Sequence, residues 1–426
     1  VDIPGGNIFP VELIAYSGGW GGELISDEQK AKRIGLANYP LLRLGFQVAS
    51  NDDLLDTLLT DKPYKMRGSW LQTNNAIACM GAQPQRILPA LQKMEFNVVV
   101  DLFLTPTALA CADVLLPAAC FAERIGITGH QPYALGAIAQ AVEPLGECKS
   151  DQRIIYETGS RFTDEAHKKW DDEQGFYDYL LRKTGYTYET LRERTWAYPE
   201  FEYNKHEKGL LRRDGTVGFA TSTGRYNFYC PEMLHFGLSP LADYEEPPES
   251  PVSAPELAEK YPLVLTTGAR SFEFFHSEHR QSPSMRRLHP DPTVLIHPNT
   301  AAKYGIENGD WLWLESRRGK TQGRARITKS VAPKVIYQER FWNPELLDSD
   351  DPNRAWQVMN INLLTQNNDE CPFNDVYGTY TLRGITIKIT KADGAPEGVW
   401  IEPEDFTPWL PEPSENTGGG NAVYGA

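Results

Sequence analysis

The sequence predicts a parallel α/β domain followed by a β-barrel domain, on three observations. Between residues 51 and 117, short apolar runs of strand character alternate with stretches of helical spacing, as in a parallel sheet with crossover helices. From residue 261 to 389 strand signals dominate, separated by turns and polar loops. Between them lies Glu245-Glu246-Pro247-Pro248-Glu249-Ser250-Pro251, where proline stiffens the chain and like charges repel, the pattern of an extended linker.

Each element follows from local pattern. Residues 1–50 are loop-rich, with Gly18-Gly19-Trp20-Gly21-Gly22, and read as the tail of a preceding α/β domain. Leu54, Leu55, Leu58 and Leu59 recur at helical spacing, and residues 69–74 read as a strand ending at Asn74-Asn75. Leu88, Leu91 and Met94 mark another helix, and Val98-Val99-Val100 is a β-branched run ending at Asp101. Thr105 or Thr107 caps a helix through Ala110, and Val114–Pro117 reads as one more buried strand. Residues 161–205 are charged and aromatic, as in helices with a solvated face and a partly buried aromatic side. The α/β domain is therefore placed at 51–243, the linker at 244–260, the barrel at 261–395 and a C-terminal tail at 396–426. Within the barrel, residues 263–267 form a strand ending at Gly268. An Arg/His-rich loop covers 270–287, and residues 293–297 and 311–315 are strands on either side of the turn Asn308-Gly309-Asp310. Ile385, Ile387 and Ile389 alternate with Thr386 and Lys388, the period of a half-buried strand.

Composition excludes several classes. The 426 residues suffice for two or three domains, and 41% hydrophobic content supports a large core. A net charge of -15 argues against nucleic-acid binding, which needs cationic neutralisation of phosphates. The six cysteines include no Cys-x-x-Cys pair and no zinc or cluster spacing. Cys79, Cys111 and Cys120 sit in apolar runs and are expected to be small buried hydrophobes. No run reaches the ~18–20 apolar residues of a membrane span. The chain opens on Val1 rather than methionine, as though in mid-protein, so its start is silent on export.

Asp101 ends a strand where open α/β sheets bind ligands. Asp101 and Thr105 hydrogen-bond a nucleotide in one reading and cap a helix in the other, and position alone leaves the two even. Asn74-Asn75 reads more readily as a turn. The loop 270–287 holds Arg270, His276, His279, Arg280, Arg286 and Arg287 with Glu273 and Glu278. Arginine forks match phosphate and other planar acceptors, and histidine moves protons. The alternative is a solvated loop with local ion pairs, but the donor density favours an anion site. His276 and His279 lack a third ligand nearby, so no residue is assigned to a metal. Arg340-Phe341-Trp342-Asn343-Pro344 and residues 360–365 form either a stacking platform or core aromatics with turn asparagines, the latter being favoured. Serine-triad, P-loop and complete GxGxxG patterns are missing.

Several segments in order resemble the molybdopterin oxidoreductase family of dimethyl-sulfoxide-reductase type. They are Val98–Asp101 through Thr105; Ala112-Asp113-Val114-Leu115-Leu116-Pro117-Ala118 with Glu123; Val142-Glu143-Pro144-Leu145-Gly146-Glu147 with Asp151; residues 221–226; and Leu265-Thr266-Thr267-Gly268, His276-Ser277, His297-Pro298, Asn308-Gly309-Asp310 and residues 362–365. Phe341-Trp342-Asn343-Pro344-Glu345 is similar to an element of the subgroup of polysulfide reductases, acetylene hydratase and catechol dehydroxylases. The resemblance implies a Rossmann-like domain followed by a double-psi β-barrel. It also implies a bis(molybdopterin guanine dinucleotide) cofactor with molybdenum or tungsten, for redox or oxygen- or sulfur-atom transfer. Asp101, Thr105 and Asp151 would line one guanosine pocket, with Asn75 in a turn where Ala76 replaces the family's proline. Gly268, Arg270, His276, Ser277 and Asn362 would face pterin or phosphate, Ala269 standing where the family often has arginine, and Trp342 and the late basic residue Arg383 would contact the cofactor. His276 is the candidate catalytic residue, as a proton carrier. The cysteine-rich [4Fe-4S] motif and the metal-ligand segment are not in the sequence, so the chain reads as the C-terminal portion of a longer catalytic subunit, inactive by itself. Its implied partners are an iron–sulfur electron-transfer subunit, a membrane anchor and a small-molecule substrate. Its compartment is open between the cytoplasm and twin-arginine export. A cofactor-free structural subunit and a non-redox hydratase are the competing readings.

Overall fold

The computed structural model describes residues 1–9, 26–39, 49–81, 84–130, 134–164, 169–194, 196–198, 202–268, 271–274, 279–280, 282–340, 354–365 and 383–396. In chain order its regular elements begin with α1 (Asp27–Ala31), α2 (Asn51–Thr60), β1 (Gly68–Gln72), α3 (Ala76–Cys79), α4 (Ile87–Gln92), β2 (Phe96–Asp101), α5 (Pro106–Cys111) and β3 (Val114–Pro117). Then come β4 (Gly126–His130), β5 (Ala134–Ile138), α6 (Asp151–Gly159), α7 (Glu173–Leu181), α8 (Tyr188–Arg194), β6 (Trp196–Ala197) and α9 (Pro255–Lys260). The last group is β7 (Leu263–Thr266), α10 (Pro283–Leu288), β8 (Thr293–Ile296), α11 (Pro298–Tyr304), β9 (Trp311–Glu315), β10 (Lys320–Ile327), β11 (Val335–Gln338), α12 (Arg354–Met359) and β12 (Ile385–Lys391).

The chain divides into two compact units. Unit 1 comprises residues 1–50, 98–102 and 114–245. In it β2 and β3 run parallel, with Val98 opposite Val114 and Asp101 opposite Pro117. Val98, Val100 and Ala118 pack with Ile154 of α6. Val114 and Leu115 are 37% and 39% exposed, so β3 is not the fully buried strand that its composition predicts. It is an edge strand, covered on one side only. A second sheet, β4–β5–β6, is antiparallel, and its Leu135 and Ala197 meet Leu181 and Leu191 of α7 and α8. The aromatic segment behaves as its pattern predicts: Tyr177 and Tyr188 are buried, and their hydroxyls donate to the carbonyls of Ile125 and Ile138.

Unit 2 comprises residues 51–97, 103–113 and 246–426. One core gathers Leu55, Leu58, Ile77, Ile87 and Leu91 from α2, α3 and α4 around Trp356 of α12. The other fills a closed barrel of order β10-β8-β11-β7-β12-β9. Leu263, Leu265, Val294, Ile296, Leu312, Leu314, Ile336 and the three alternating isoleucines of β12 point into it. Closure satisfies every strand edge within the barrel. Asn308 closes the anticipated turn by accepting from the Ile327 amide at 2.9 Å, and Gly309 takes φ +93° there. Two barrel strands, β10 and β11, have no counterpart among the sequence expectations. β10 reads KTQGRARI, and it buries Thr321 and Gln322 along with Ala325.

The Pro/Glu-rich segment is held against the barrel rather than extended. Glu249 is 7% exposed and accepts from Arg317 Nε and Arg318 Nη2, each at 2.5 Å. Burial raises its carboxyl pKa, but the hydrogen bonds from Arg318 and Arg317 outweigh that and hold it below the ordinary glutamate value. Cys79, Cys111 and Cys120 are half-buried rather than buried. No described helix is long and apolar enough to cross a membrane.

Candidate cofactor-binding site

One polar site in unit 2 lies where β7 ends and β12 begins. Gly268 leaves β7 with φ +108°, in the region that L side chains rarely adopt. A Cβ there would stand 2.9 Å from Arg383 Nη2, so the missing side chain is what lets the guanidinium lie against the backbone. Arg383 Nε donates to the Thr267 carbonyl at 3.2 Å. The next residue, Gly384, takes φ +73°, donates its amide to Leu265 O at 3.0 Å, and has Pro247 where its Cβ would point. Gly268 and Arg383, predicted separately, are thus neighbours across a strand pair. The arrangement offers a fixed cation beside a backbone cradle, which suits a phosphate.

A second polar centre is buried in the same unit. Asn75 precedes α3, and its Oδ1 accepts from Thr107 Oγ1 at 2.9 Å, while Thr107 Oγ1 accepts from the Ile77 amide at 3.0 Å. Thr107 is therefore not the helix cap. Thr105 caps α5, accepting from Ala108 N at 3.3 Å. Asn362 is 6% exposed, in a 3-10 turn at Ile361–Leu363, and its amide donates to Asn360 Oδ1 at 2.9 Å. Asn360 Nδ2 donates to the carbonyls of Ile77 and Ala78 at 3.3 and 3.2 Å. Asn360, which the sequence reads only as a turn asparagine of the 360–365 cluster, is the residue that joins the Asn362 turn to the helix behind Asn75.

In unit 1, Asp101 and Asp151 come to one edge of the β2–β3 pair. The Asp101 carbonyl accepts from Ala118 N at 3.1 Å, and Ala119 N donates to Lys149 O at 2.8 Å. Ser150 then caps α6, whose first residue is Asp151. Asp101 Oδ1 accepts from the adjacent Leu102 amide at 2.7 Å, so it does not cap α5. The two carboxylates stand at the carboxyl end of the parallel strands, the ligand-binding edge of such sheets. Arg270, His276, Ser277 and Trp342 lie outside the described residues.

The loop that follows Gly268 is anchored by a buried charge cluster that the sequence does not reveal as one. Arg280 and Glu339 are each 3% exposed and lie 3.8 Å apart. Arg280 Nη2 donates to Arg340 O at 2.8 Å, and its guanidinium sits 4.6 Å from the centre of the Phe274 ring. His289 stands between two carboxylates, 2.8 Å from Glu339 through Nε2 and 3.6 Å from Glu273 through Nδ1. Burial pushes the Glu339 carboxyl up, yet the His289 hydrogen bond and the nearby Arg280 charge bring it below the ordinary value. The run Val335-Ile336-Tyr337, read as a strand, would have placed Glu339 at a strand end beside the loop.

Comparison with known proteins matches two family descriptions. Residues 35–160 match a molybdopterin oxidoreductase model, and residues 263–377 match a molydopterin dinucleotide binding domain. The chain is 30% identical to dopamine dehydroxylase of Eggerthella lenta, over 92% of this chain and 45% of that protein. It is also 30% identical to acetylene hydratase of Syntrophotalea acetylenica, over 85% of this chain and 52% of that protein. The solved structure of acetylene hydratase from Pelobacter acetylenicus superposes with a TM-score of 0.77 at 26% identity, covering 87% of this chain and 53% of that one. The chain spans about half the length of these relatives. With both family descriptions matched in order and the barrel in place, the chain belongs to the molybdopterin oxidoreductase family.

Proposed function

We propose that the chain is the dinucleotide-holding portion of a molybdenum or tungsten oxidoreductase, with a Rossmann-like α/β segment and a barrel of double-psi form. The observation that carries this reading is the Gly268–Arg383 junction, a cradle that a Cβ would fill, with Gly268 inside the segment of family likeness and Arg383 just beyond its end at residue 377. Its donor chemistry fits a pterin guanine dinucleotide. The Arg383 guanidinium and the open backbone at Gly268 would hold a phosphate. The carboxylates of Asp101 and Asp151 would accept from the N–H groups of a guanine, and Asn362 and Asn75 would fix the backbone around the pterin. His276 would carry a proton, and Arg270, Ser277 and Trp342 would complete the loop side. When bound, such a cofactor supplies a metal centre for redox or oxygen- or sulfur-atom transfer, while the protein binds, orients and tunes it. A [4Fe-4S] cluster and the metal's protein ligand belong, in this reading, to polypeptide outside these residues. Electrons would pass to an iron–sulfur subunit, with a membrane anchor as a further partner.

The test is elemental and pterin analysis of the full-length protein after expression in a host that makes the cofactor. Molybdenum or tungsten together with pterin is the expected result, and protein lacking both overturns the reading. The likeness to acetylene hydratase keeps one second reading in view, a non-redox hydratase. Cofactor-loaded protein that hydrates an alkyne but exchanges no electrons with viologen dyes would select it.

A further inference from the structure

Unit 1 contains a cleft that the cofactor reading leaves unused. It lies between α6 and the start of α7, with a volume of about 340 Å³. Ile155, Tyr156 and Gly159 line it from one stripe of α6, at the spacing that puts them on one helical face. Trp170 and Phe176 face them, their ring centres 5.0 Å apart, so the opposite wall is aromatic.

Two polar groups give this apolar cleft a chemical preference. Gln152 Oε1 is buried and has no hydrogen-bond partner among the described residues. A buried acceptor left unmatched is costly, and a ligand hydroxyl would satisfy it. The Lys169 ammonium lies 5.7 Å from the Tyr179 ring and meets no carboxylate among the described residues. Glu173, the acidic residue of the lining, is already engaged: it accepts from Ser150 Oγ at 2.7 Å and from the Tyr177 hydroxyl at 3.2 Å. Glu173 keeps its negative charge, but its Oε1 is turned to those two hydroxyls, which leaves Lys169 as the charged group of the lining open to a ligand anion. Its size is that of the small end of ligand pockets, enough for one ring with substituents.

We propose that this cleft binds a monocyclic aromatic acid bearing a hydroxyl. The ring stacks among Tyr156, Trp170 and Phe176, the carboxylate pairs with Lys169, and the hydroxyl donates to Gln152 Oε1. Aromatic stacking and a charge-assisted hydrogen bond act together here. Because α6 starts at Asp151, an occupied cleft also braces the helix that carries that carboxylate.

The experiment is calorimetric titration of the full chain with 4-hydroxybenzoate, benzoate and 4-methylphenol. Saturable binding of 4-hydroxybenzoate is expected, weakened about tenfold for each analogue that lacks one polar group. Lys169→Met should weaken 4-hydroxybenzoate about tenfold and leave 4-methylphenol unchanged. Gly159→Leu should abolish binding of all three, since nothing lies within 4 Å of a Cβ at Gly159 and the new side chain has room to enter the cleft. Should that variant fail to fold, the Lys169→Met contrast between the two probes decides alone. Absence of saturable binding at millimolar probe, or binding that ignores Lys169→Met, overturns the proposal.

Discussion

Gly268 shows how one position carries both a fold requirement and a site. Its φ of +108° strains any L side chain, and a Cβ there would stand 2.9 Å from Arg383 Nη2, which would have to shift. Gly268→Ala should therefore cost on the order of 1–3 kcal/mol, read as a lowered urea midpoint of the chain without cofactor. An unchanged midpoint would show that the junction is slack. Asn360 is the second such residue. Replacing it with leucine leaves the Ile77 and Ala78 carbonyls without their side-chain donor, at a cost of about 1–3 kcal/mol by the same measurement. The two positions differ in legibility. A glycine closing a β-run is visible in sequence, and the resemblance points to Arg383. Asn360 looks like any turn asparagine, because its partners are backbone carbonyls about 280 residues away in the chain.

At the scale of elements, hydrophobic period locates the strands it can. β7, β8, β9 and β12 bury alternate apolar residues and fall within a residue or two of their expected bounds. β10 escapes that pattern because Thr321 and Gly323 stand opposite the inward Leu314 and Leu312 without a large apolar side chain, while Gln322 is buried on the other face; Thr321 Oγ1 donates to Val358 O at 3.1 Å. Propensity also misjudges the segment around Glu249, where repulsion among acidic residues predicts extension. Arg317 and Arg318, in the turn between β9 and β10, supply the missing counter-charge.

That pairing sets a pH dependence. Glu249 and Glu339 both have folded pKa values below their ordinary ones. A depressed carboxyl stabilises the fold above its unfolded pKa, about 4.3 for glutamate, and that stability is lost as pH falls through the folded value. Glu249→Gln should therefore melt well below the wild type at pH 7. The gap should narrow as pH drops from about 5 to 3, because the wild type loses in acid what the variant already lacks. Calorimetric melting of both proteins across that range checks the sign. A gap that is constant with pH would assign Glu249 no electrostatic role.

For the whole molecule, the candidate residues divide by unit. Asp101 and Asp151 stand at a sheet edge in unit 1, while Gly268, Arg383, Asn75 and Asn362 belong to unit 2. The order of family-like segments is readable in the sequence because turn and strand-end residues are local features. The buried cluster of Arg280, His289 and Glu339 is not, since only tertiary packing brings a loop arginine, a pre-proline histidine and a strand-end glutamate together. The central claim is that the barrel grips the guanine dinucleotide. Its most direct test is the guanosine monophosphate released by acid from purified full-length protein, comparing wild type with Arg383→Ala. The account predicts abundant guanosine monophosphate from the wild type and a severalfold loss in the variant, with the fold intact by circular dichroism. Equal release from both, or none from the wild type, would contradict it.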